Sequence, residues 1–438
     1  MYLLCFFANI VGMEFANNIS ERGYDMDYIS YMKKELVPAF GCTEPIALAY
    51  ASAVAREILG IEPEKILVNV SGNIIKNANS VTVPGTDGRK GLEISIVAGA
   101  FLGDASKKLE VLSDVDKSKL DECDEKIENE IIEIKLKPDV SNLYIDIKLL
   151  AKDQSSRVVL QGAHTNIILK EKNDEVIYEK TLESQDDCEV DFSFEKIYEF
   201  AKKCDYSEVK DILDLEISYN TEIAKDGIEN DWGSNIGKII LKNYSDNYNE
   251  KLVAYAAAGS DARMSGSEKP VVINSGSGNQ GITVSVPIIL YAKDKGVSED
   301  ELYRALVFAN LIGLYLKQGI GKLSAYCGVV SAASASVCGI GYLNNENIDV
   351  LKETLSNSLA VNSGIICDGA KPSCAMKIAS SLRNAFLAYE QAKTNNSFNP
   401  GDGIVKETLD KTIETVGHIA RYGMKTTDEV ILNEMLKK

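Results

Sequence analysis

Histidine is scarce in this chain of 438 residues, which contains only His164 and His418. Two histidines exclude a histidine-rich metal site and argue against catalysis by a Ser-His-Asp triad. The sequence also lacks the run of about 20 apolar residues that a membrane-spanning helix needs. We therefore expect no membrane-spanning segment, and we expect the chemistry of the protein to depend on other residue types.

Positive charge is also in short supply, because 47 lysines and arginines face 65 acidic residues and leave a formal net charge of -18. Proteins that bind nucleic acid need a surplus of basic residues to displace counterions from phosphates. Acidic membrane surfaces are disfavoured for the same reason. A small anionic ligand stays compatible, since a local set of backbone N–H groups can oppose the charge of the whole molecule. The expected partner is therefore a small molecule.

The nine cysteines are scattered along the chain, and no two of them form a Cys-x-x-Cys pair. An odd number without dense spacing indicates reduced thiols in a cytoplasmic protein rather than a disulfide framework. The apolar segment Met1–Val11 resembles part of a signal peptide, but no basic residue precedes it and no cleavage site is clear. We predict a cytoplasmic location and an N-terminal extension over residues 1–25, with Met13 or Met26 as alternative starts.

Hydrophobic periodicity divides the rest of the chain. Residues 108–190 are rich in charge and alternate apolar with polar side chains, which predicts strands. The pattern after this segment is almost wholly helical, with dense small residues that allow close helix packing. The sequence therefore predicts an α+β fold, in which a predominantly helical core from residues 26–107 and 191–438 carries a small α+β insert at residues 108–190.

Two cysteine-bearing turns lie in the C-terminal half, at residues 321–328 and 367–374, and they carry Cys327, Cys367 and Cys374. Glycine or proline near these thiols lets the backbone bend several ligands toward one point, which a straight helix cannot do. Cys338 is excluded from such a site, because its separation along a helix would place it about 16 Å from Cys327. The remaining cysteines fit buried small hydrophobes.

A further candidate, Cys42, lies where the helical pattern is interrupted, in the segment Gly41-Cys42-Thr43-Glu44-Pro45. Proline is favoured in the first turn of a helix, so Thr43 or Glu44 is expected near the N-cap. Cys42 would then lie at the positive end of a helix dipole, which lowers the pKa of a thiol. On local chemistry alone, Cys42 and the cysteines of the two turns are either metal ligands or buried hydrophobes.

A glycine-rich loop, Asn274-Ser275-Gly276-Ser277-Gly278-Asn279-Gln280-Gly281, leads directly into an apolar run. A loop of this kind that opens a helix presents free N–H groups and a positive dipole end, which suit a carboxylate or a phosphate. No preceding strand supports a dinucleotide fold, and no Lys-Ser/Thr follows as in a P-loop. The loop is therefore either an anion site or an ordinary flexible turn.

Together, the Cys42 segment, this loop and the two C-terminal turns resemble the L-cysteine desulfidase family. That family is related to the α-chain of bacterial iron–sulfur L-serine dehydratases, and the similarity runs from about residue 26 to the C-terminus. The resemblance implies a 4Fe-4S cluster that is held by three thiolates and leaves one iron open. The resemblance implies that Cys42, Cys327 and Cys367 are the cluster ligands, with Cys374 as the alternative to Cys367.

The resemblance also implies the reaction, in which L-cysteine is broken down to pyruvate, ammonia and sulfide while the open iron acts as a Lewis acid on the leaving group. Backbone or side-chain donors should hold the substrate carboxylate, and the candidates are Ser71, Asn73, Ser275, Gly276, Ser277, Gly278, Asn279 and Gln280. Candidate general bases are His164, Lys322 and Lys371, and a lysine would need a lowered pKa.

Three alternatives stay open, and so does the oligomeric state. L-serine could be the substrate of the same mechanism, because the sequence does not separate a thiol from a hydroxyl at the iron. A protein of another class, a non-catalytic cluster-binding or metal-binding sensor, would also use these cysteines. A pyridoxal phosphate enzyme with Lys371 as its lysine is a third alternative, although no phosphate cup precedes this residue. The oligomeric state is open as well, a homo-oligomer included.

Overall fold

The computed structural model describes residues 28–180 and 190–437, and most of them are helical. The predicted extension at residues 1–25 and the alternative starts lie outside these ranges. The strands form one six-stranded sheet and one two-stranded sheet. The predicted class is confirmed, because the fold is α+β and predominantly helical.

The helical core is built from long helices joined by short turns. In chain order the helices are α1 (residues 28–35), α2 (Thr43–Leu59), α3 (Gly72–Ala78), α4 (Leu92–Leu102), α5 (Leu120–Glu128), α6 (Phe194–Lys203), α7 (Lys210–Glu229), α8 (Ile236–Tyr244), α9 (Tyr248–Met264), α10 (Gly278–Lys295), α11 (Glu299–Ile320), α12 (Gly328–Leu343), α13 (Ile348–Asn362), α14 (Cys374–Lys393), α15 (Leu409–His418) and α16 (Lys425–Leu436). Within the described ranges, none of them has the length and apolar character needed to cross a membrane.

Small residues let these helices approach closely, as their density in the sequence predicts. A Cβ added to Gly227 of α7 would lie 2.0 Å from the carbonyl oxygen of Ala258 in α9. A Cβ added to Gly339 of α12 would lie 2.4 Å from the side chain of Ile288 in α10. Glycine at these positions therefore leaves room for the backbone or side chain of the neighbouring helix.

The larger sheet has the strand order β3-β2-β4-β5-β6-β7. Its strands are β2 (Lys65–Val70), β3 (Ile132–Leu136), β4 (Tyr144–Ala151), β5 (Gln154–Gln161), β6 (Ile167–Lys172) and β7 (Glu175–Glu179). Strand β2 pairs in parallel with β3 and antiparallel with β4, so the sheet extends beyond the predicted insert at residues 108–190. The boundaries of that insert stay a prediction. Helix α2 packs against β4 and β5 and so joins the sheet to the helical core.

A short two-stranded sheet brings two candidate segments together. Strand β1 (Pro38–Phe40) pairs antiparallel with β8 (Pro270–Val272). The predicted interruption at Gly41 is present, and it is longer than expected because it includes β1. Gly41 is required there, since its φ is 72° and a Cβ would lie 2.2 Å from the ring of Pro84. Cys42 follows β1 and the glycine-rich loop follows β8, and Oγ1 of Thr43 lies 3.0 Å from the carbonyl oxygen of Gly276, which places the loop beside the Cys42 segment.

Candidate functional site

Four cysteines from three distant segments line one cavity of about 90 Å³. Cys42 is the N-cap of α2, Cys327 is the N-cap of α12, and Cys374 is the first residue of α14. Cys367 lies in the turn before α14, and all four are free thiols. Each thiol sits where the backbone bends into a helix or a turn, which aims side chains from different segments at one point. The structure therefore brings together the four thiols that the sequence singles out.

The two C-terminal turns are held together by backbone hydrogen bonds. The N–H of Cys327 donates to the carbonyl of Ile365 at 3.0 Å, and the N–H of Cys367 donates to the carbonyl of Ala325 at 2.6 Å. This pairing sets the two thiols side by side, and the hydrogen bond from Cys327 lowers the pKa of Cys367. Cys367 is therefore the more readily deprotonated thiol of the pair, and the thiolate is the metal-binding form of cysteine.

Cys42 behaves differently from the expectation at a helix start. Cys42 itself is the N-cap of α2, rather than Thr43 or Glu44. Burial raises the pKa of the Cys42 thiol well above its usual value, the negative charge of Glu44 raises it further, and Arg263 opposes both. The predicted lowering by the helix dipole is therefore wrong for this thiol. Its S–H donates to Oε2 of Glu44 at 3.3 Å.

Glu44 is a buried carboxylate of the cavity that sequence reasoning did not single out. It accepts hydrogen bonds from the hydroxyl of Thr43 at 3.1 Å and from Nδ2 of Asn77 at 3.0 Å, besides the bond from Cys42. Burial alone would raise its pKa, but the interactions with His164 and with the Cys42 thiol lower the pKa of Glu44 to about 2. Glu44 is therefore a charged hydrogen-bond acceptor at neutral pH.

His164, a predicted general base, lies behind the cavity wall. It packs beside Gly276, where an added Cβ would be 3.2 Å from Cε1 of the imidazole. Its Nε2 has no hydrogen-bond partner among the described residues, and Oε1 of Glu44 is 3.8 Å away, too far for a full hydrogen bond. His164 is not one of the residues that line the cavity. Its position favours an electrostatic role toward Glu44 over contact with a ligand.

The glycine-rich loop opens helix α10 as the sequence predicts, with Ser277 as the N-cap. Four of the predicted substrate-binding residues line the cavity, namely Gly276, Ser277, Asn279 and Gln280. Ser275 lines a neighbouring pocket instead. Gly278 packs against Arg263, because an added Cβ would lie 2.3 Å from Nε of that guanidinium. The start of α10 therefore forms one wall of the cysteine cavity.

Ser71 and Asn73, at the start of α3, do not reach this cavity. The hydroxyl of Ser71 donates to the carbonyl of Asn142 at 2.7 Å, and Nδ2 of Asn73 donates to Oδ2 of Asp428 at 2.8 Å. Both residues line a different pocket between α3 and α16. Helix α3 contributes Asn77 to the cavity instead.

Two of the three predicted bases are lysines, and both are engaged with other groups. Nζ of Lys322 donates to Oε1 of Glu35 at 2.8 Å, and Nζ of Lys371 donates to the carbonyl of Asn79 at 2.5 Å without lining the cavity. Lys322 lines the cavity despite its ion pair with Glu35. Lys317 also lines the cavity, and it differs because it is 4% exposed and forms no side-chain hydrogen bond or ion pair with any described residue. It is the lysine best placed to accept a proton there.

Sequence reasoning missed Lys317, although the sequence contains a signal for it. Burial lowers the pKa of Lys317 to about 8, well below its usual value. The residue continues a buried face of α11 at helical spacing, whose members are Asn310, Gly313, Leu314, Lys317 and Ile320. A lysine on the apolar face of a helix is unusual and indicates a role inside the protein.

The donor set of the cavity contains four cysteine thiols from three segments of the chain. Thiolates are the ligands that iron–sulfur clusters use. No group of three His, Cys, Asp or Glu side chains that could hold a metal ion is found in residues 28–180 and 190–437. The chemistry of the thiols is therefore compatible with an iron–sulfur group.

Fold and site define a mainly helical α+β protein with a buried cavity in which thiols meet cationic side chains. Residues 106–433 match the family described as the serine dehydratase alpha chain, and the chain belongs to this family. A UPF0597 protein of Finegoldia magna is 44% identical over 420 residues, which cover 94% of this chain and 100% of that relative.

Two more relatives are similar to this chain over nearly its whole length. A UPF0597 protein of Lachnoclostridium phytofermentans is 47% identical over 411 residues, covering 93% of this chain and 99% of the relative. A UPF0597 protein of Desulfitobacterium hafniense is 46% identical over 422 residues, which cover 95% of this chain and 97% of that relative. The similarity thus extends over most of the chain, and the predicted relation to the serine dehydratase α-chain is confirmed.

Proposed function

We propose that the protein is an iron–sulfur lyase that eliminates sulfide from L-cysteine and yields pyruvate and ammonia. The observation that carries this proposal is the convergence of Cys42, Cys327 and Cys367 on one cavity beside the start of α10. Membership in the serine dehydratase alpha-chain family supports a lyase that acts on a small amino acid. The described cysteines are all free thiols, which supports a reducing compartment such as the cytoplasm.

The residues that would hold the cluster are Cys42, Cys327 and one of the pair Cys367 and Cys374. The lowered pKa of Cys367 favours it as the third ligand. Three protein ligands leave one position of a 4Fe-4S cluster for the substrate. When bound, such a cluster supplies a Lewis acid for the departing sulfur.

The protein's own groups must move the proton and hold the substrate. We assign proton removal from Cα to Lys317, whose buried amine is lowered in pKa and has no competing partner among the described residues. The electron pair of the Cα–H bond becomes the second bond between Cα and Cβ, and the Cβ–S bond breaks to release hydrosulfide. The aminoacrylate product hydrolyses in water to pyruvate and ammonia.

L-serine is the alternative substrate, and the name of the matched family favours it. A hydroxyl leaves by the same elimination when a Lewis acid takes its charge. The cavity alone does not separate the two leaving groups, because either would depart toward the cysteines. A non-catalytic sensor is the alternative of another class, but it does not account for a buried lysine without a partner beside the thiols.

The test is an assay of protein that has been purified without oxygen and reconstituted with iron and sulfide. Sulfide and pyruvate are measured with L-cysteine, and pyruvate is measured with L-serine, each against a chelator-treated sample. Cluster-dependent sulfide release supports the proposal, and pyruvate from L-serine alone moves the function to a dehydratase. A loaded cluster without turnover of either amino acid contradicts the lyase proposal and favours the sensor.

A further inference from the structure

Arg263, on the last turn of α9, brings a permanent positive charge into the cavity. It is 3% exposed and lines the same cavity as the four cysteines. A guanidinium is not deprotonated in proteins, so it is charged even when buried. Burial of a charge is costly unless an opposite charge and hydrogen bonds compensate it. A buried Arg263 is therefore expected to have an anionic partner.

The described residues do not supply a carboxylate partner for this arginine. No Asp or Glu in residues 28–180 and 190–437 lies within 4.0 Å of the Arg263 guanidinium, in contrast to the ion pairs that Arg157 and Arg383 form. Nη1 donates to Oδ1 of Asn279 at 3.2 Å, and Nε is buried without any partner. A guanidinium has five N–H donors, so most of its capacity is unused.

The acids nearest to Arg263 in sequence and in the cavity have other partners. Asp261, two residues earlier, accepts from the N–H of Ile236 at 2.6 Å and from the N–H of Gly237 at 3.4 Å, which caps the start of α8. Glu44 is the sole carboxylate among the cavity-lining side chains of the described chain, and it accepts from Cys42, Thr43 and Asn77. The unused donors of Arg263 are therefore left for a ligand.

A second set of donors meets the guanidinium at the same place. The start of α10 packs directly on Arg263, since a Cβ on Gly278 would lie 2.3 Å from Nε. The first N–H groups of a helix have no partner within the helix and form a positive end that attracts anions. The N–H of Gly281 donates to the carbonyl of Ser277, and the N–H of Ser277 donates to the carbonyl of Asn274. The N–H groups that remain are those of Gly278, Asn279 and Gln280. A planar fork of donors beside a helix start matches a carboxylate.

We infer that Arg263, together with the first turn of α10, binds the α-carboxylate of an amino-acid substrate and holds its Cβ substituent toward the cysteines. The inference rests on the proposed function for the identity of the substrate, and it adds the residue that makes the site selective for a free carboxylate. Amines, amides and esters without this group would lack the partner that Arg263 needs. The variant that tests the inference is Arg263→Gln, which removes the charge and leaves only the two N–H donors of an amide.

The experiment measures binding rather than turnover. L-alanine carries the α-carboxylate but no leaving group, and L-alaninamide replaces that carboxylate with an amide. Ligand-observed NMR titration under anaerobic conditions gives the Kd of both compounds for the reconstituted protein at matched ionic strength. The matched control is Arg383→Gln, because Arg383 pairs with Glu250 outside the cavity.

Wild type and Arg383→Gln should prefer L-alanine over L-alaninamide by about 10- to 100-fold, the range expected for hydrogen bonds to a charged group. Arg263→Gln should lose this preference through weaker binding of L-alanine alone. Arg263→Lys, which keeps the charge without the fork, should retain part of the preference and serves as the readout if Arg263→Gln does not fold.

Three results would overturn the inference: no preference in wild type, an unchanged preference in the Arg263 variants, or equal weakening of both ligands. Loss of iron from Arg263→Gln with the preference intact would also overturn it, because Arg263 would then serve the cysteines. Failure of the lyase proposal would give a different experimental result. Neither L-cysteine nor L-serine would be turned over, while the Arg263-dependent preference for L-alanine over L-alaninamide would persist.

Discussion

Replacement of Glu216 by glutamine should change how the stability of the protein depends on pH. Glu216 of α7 is 0% exposed, and the described residues place no cation within ion-pair distance of it. Nδ2 of Asn310 donates to both of its carboxyl oxygens, at 3.2 and 2.9 Å. Nδ2 of Asn274, the first residue of the glycine-rich loop, donates in turn to Oδ1 of Asn310 at 2.9 Å. Glu216 thus supports the wall of the cavity from behind.

Burial raises the pKa of Glu216 to about 8 from an ordinary value of 4.5, and the hydrogen bond from Asn310 only partly offsets this. The folded protein therefore keeps a proton that the unfolded chain loses. The stabilisation is fully present below pH 4.5 and is lost as the pH rises through about 8. One pKa unit corresponds to about 1.4 kcal/mol, so the loss between these limits is on the order of 4–5 kcal/mol.

The assay is urea unfolding of wild type and Glu216→Gln at pH 5, 6.5 and 8. The two proteins should have similar free energies of unfolding at pH 5, and Glu216→Gln should be more stable by about 3–4 kcal/mol at pH 8. Glu222→Gln, at an exposed position of the same helix, is the matched control and should show no such divergence. A difference between wild type and Glu216→Gln that is constant from pH 5 to 8 would refute the reasoning.

Three other changes test separate parts of the molecule. Lys317→Met should lower kcat with L-cysteine by about 100-fold or more without loss of thermal stability, and full activity would exclude Lys317 as the base. Gly369→Ala should lower the free energy of unfolding, measured in urea, by about 2–5 kcal/mol. The reason is that φ of Gly369 is 92° and a Cβ would lie 2.5 Å from the carbonyl oxygen of Lys76. A decrease below about 0.5 kcal/mol would contradict this. Asp146→Asn should cost about 1–3 kcal/mol by the same measurement, since Asp146 accepts bonds from Arg157 at 2.8 and 3.0 Å, and unchanged stability would show that the pair contributes nothing.

The turns that carry the cavity cysteines were predictable from local chain geometry, whereas the set of cluster ligands was implied by the family resemblance. Glycine and proline mark where the backbone bends, and a thiol at the first residue of a helix points away from that helix. The same reasoning located the start of α10 at the glycine-rich loop. It failed for Ser71 and Asn73, because a similar polar helix start at α3 faces α16 instead of the cysteines.

The cationic side chains of the cavity were not predictable in the same way. Arg263 and Lys317 lie within helices, and their burial depends on which helices pack around them. The pKa of Cys42 shows the same limit, because burial and the charge of Glu44 outweigh the effect of the helix start. Desolvation is a property of the tertiary structure, so local sequence patterns report it only indirectly, as with a lysine on an apolar helix face.

The central claim is that the cavity thiols hold an iron–sulfur group on which the elimination depends. The most direct measurement is the content of iron and acid-labile sulfide, with sulfide release from L-cysteine, in anaerobically reconstituted Cys327→Ser and Cys338→Ser. Cys338 is also buried, but its thiol donates to the carbonyl of Leu351 away from the cavity. Cys338→Ser should keep about four irons per chain and full activity, whereas Cys327→Ser should lose both. Equal iron content and activity in the two variants would contradict the claim.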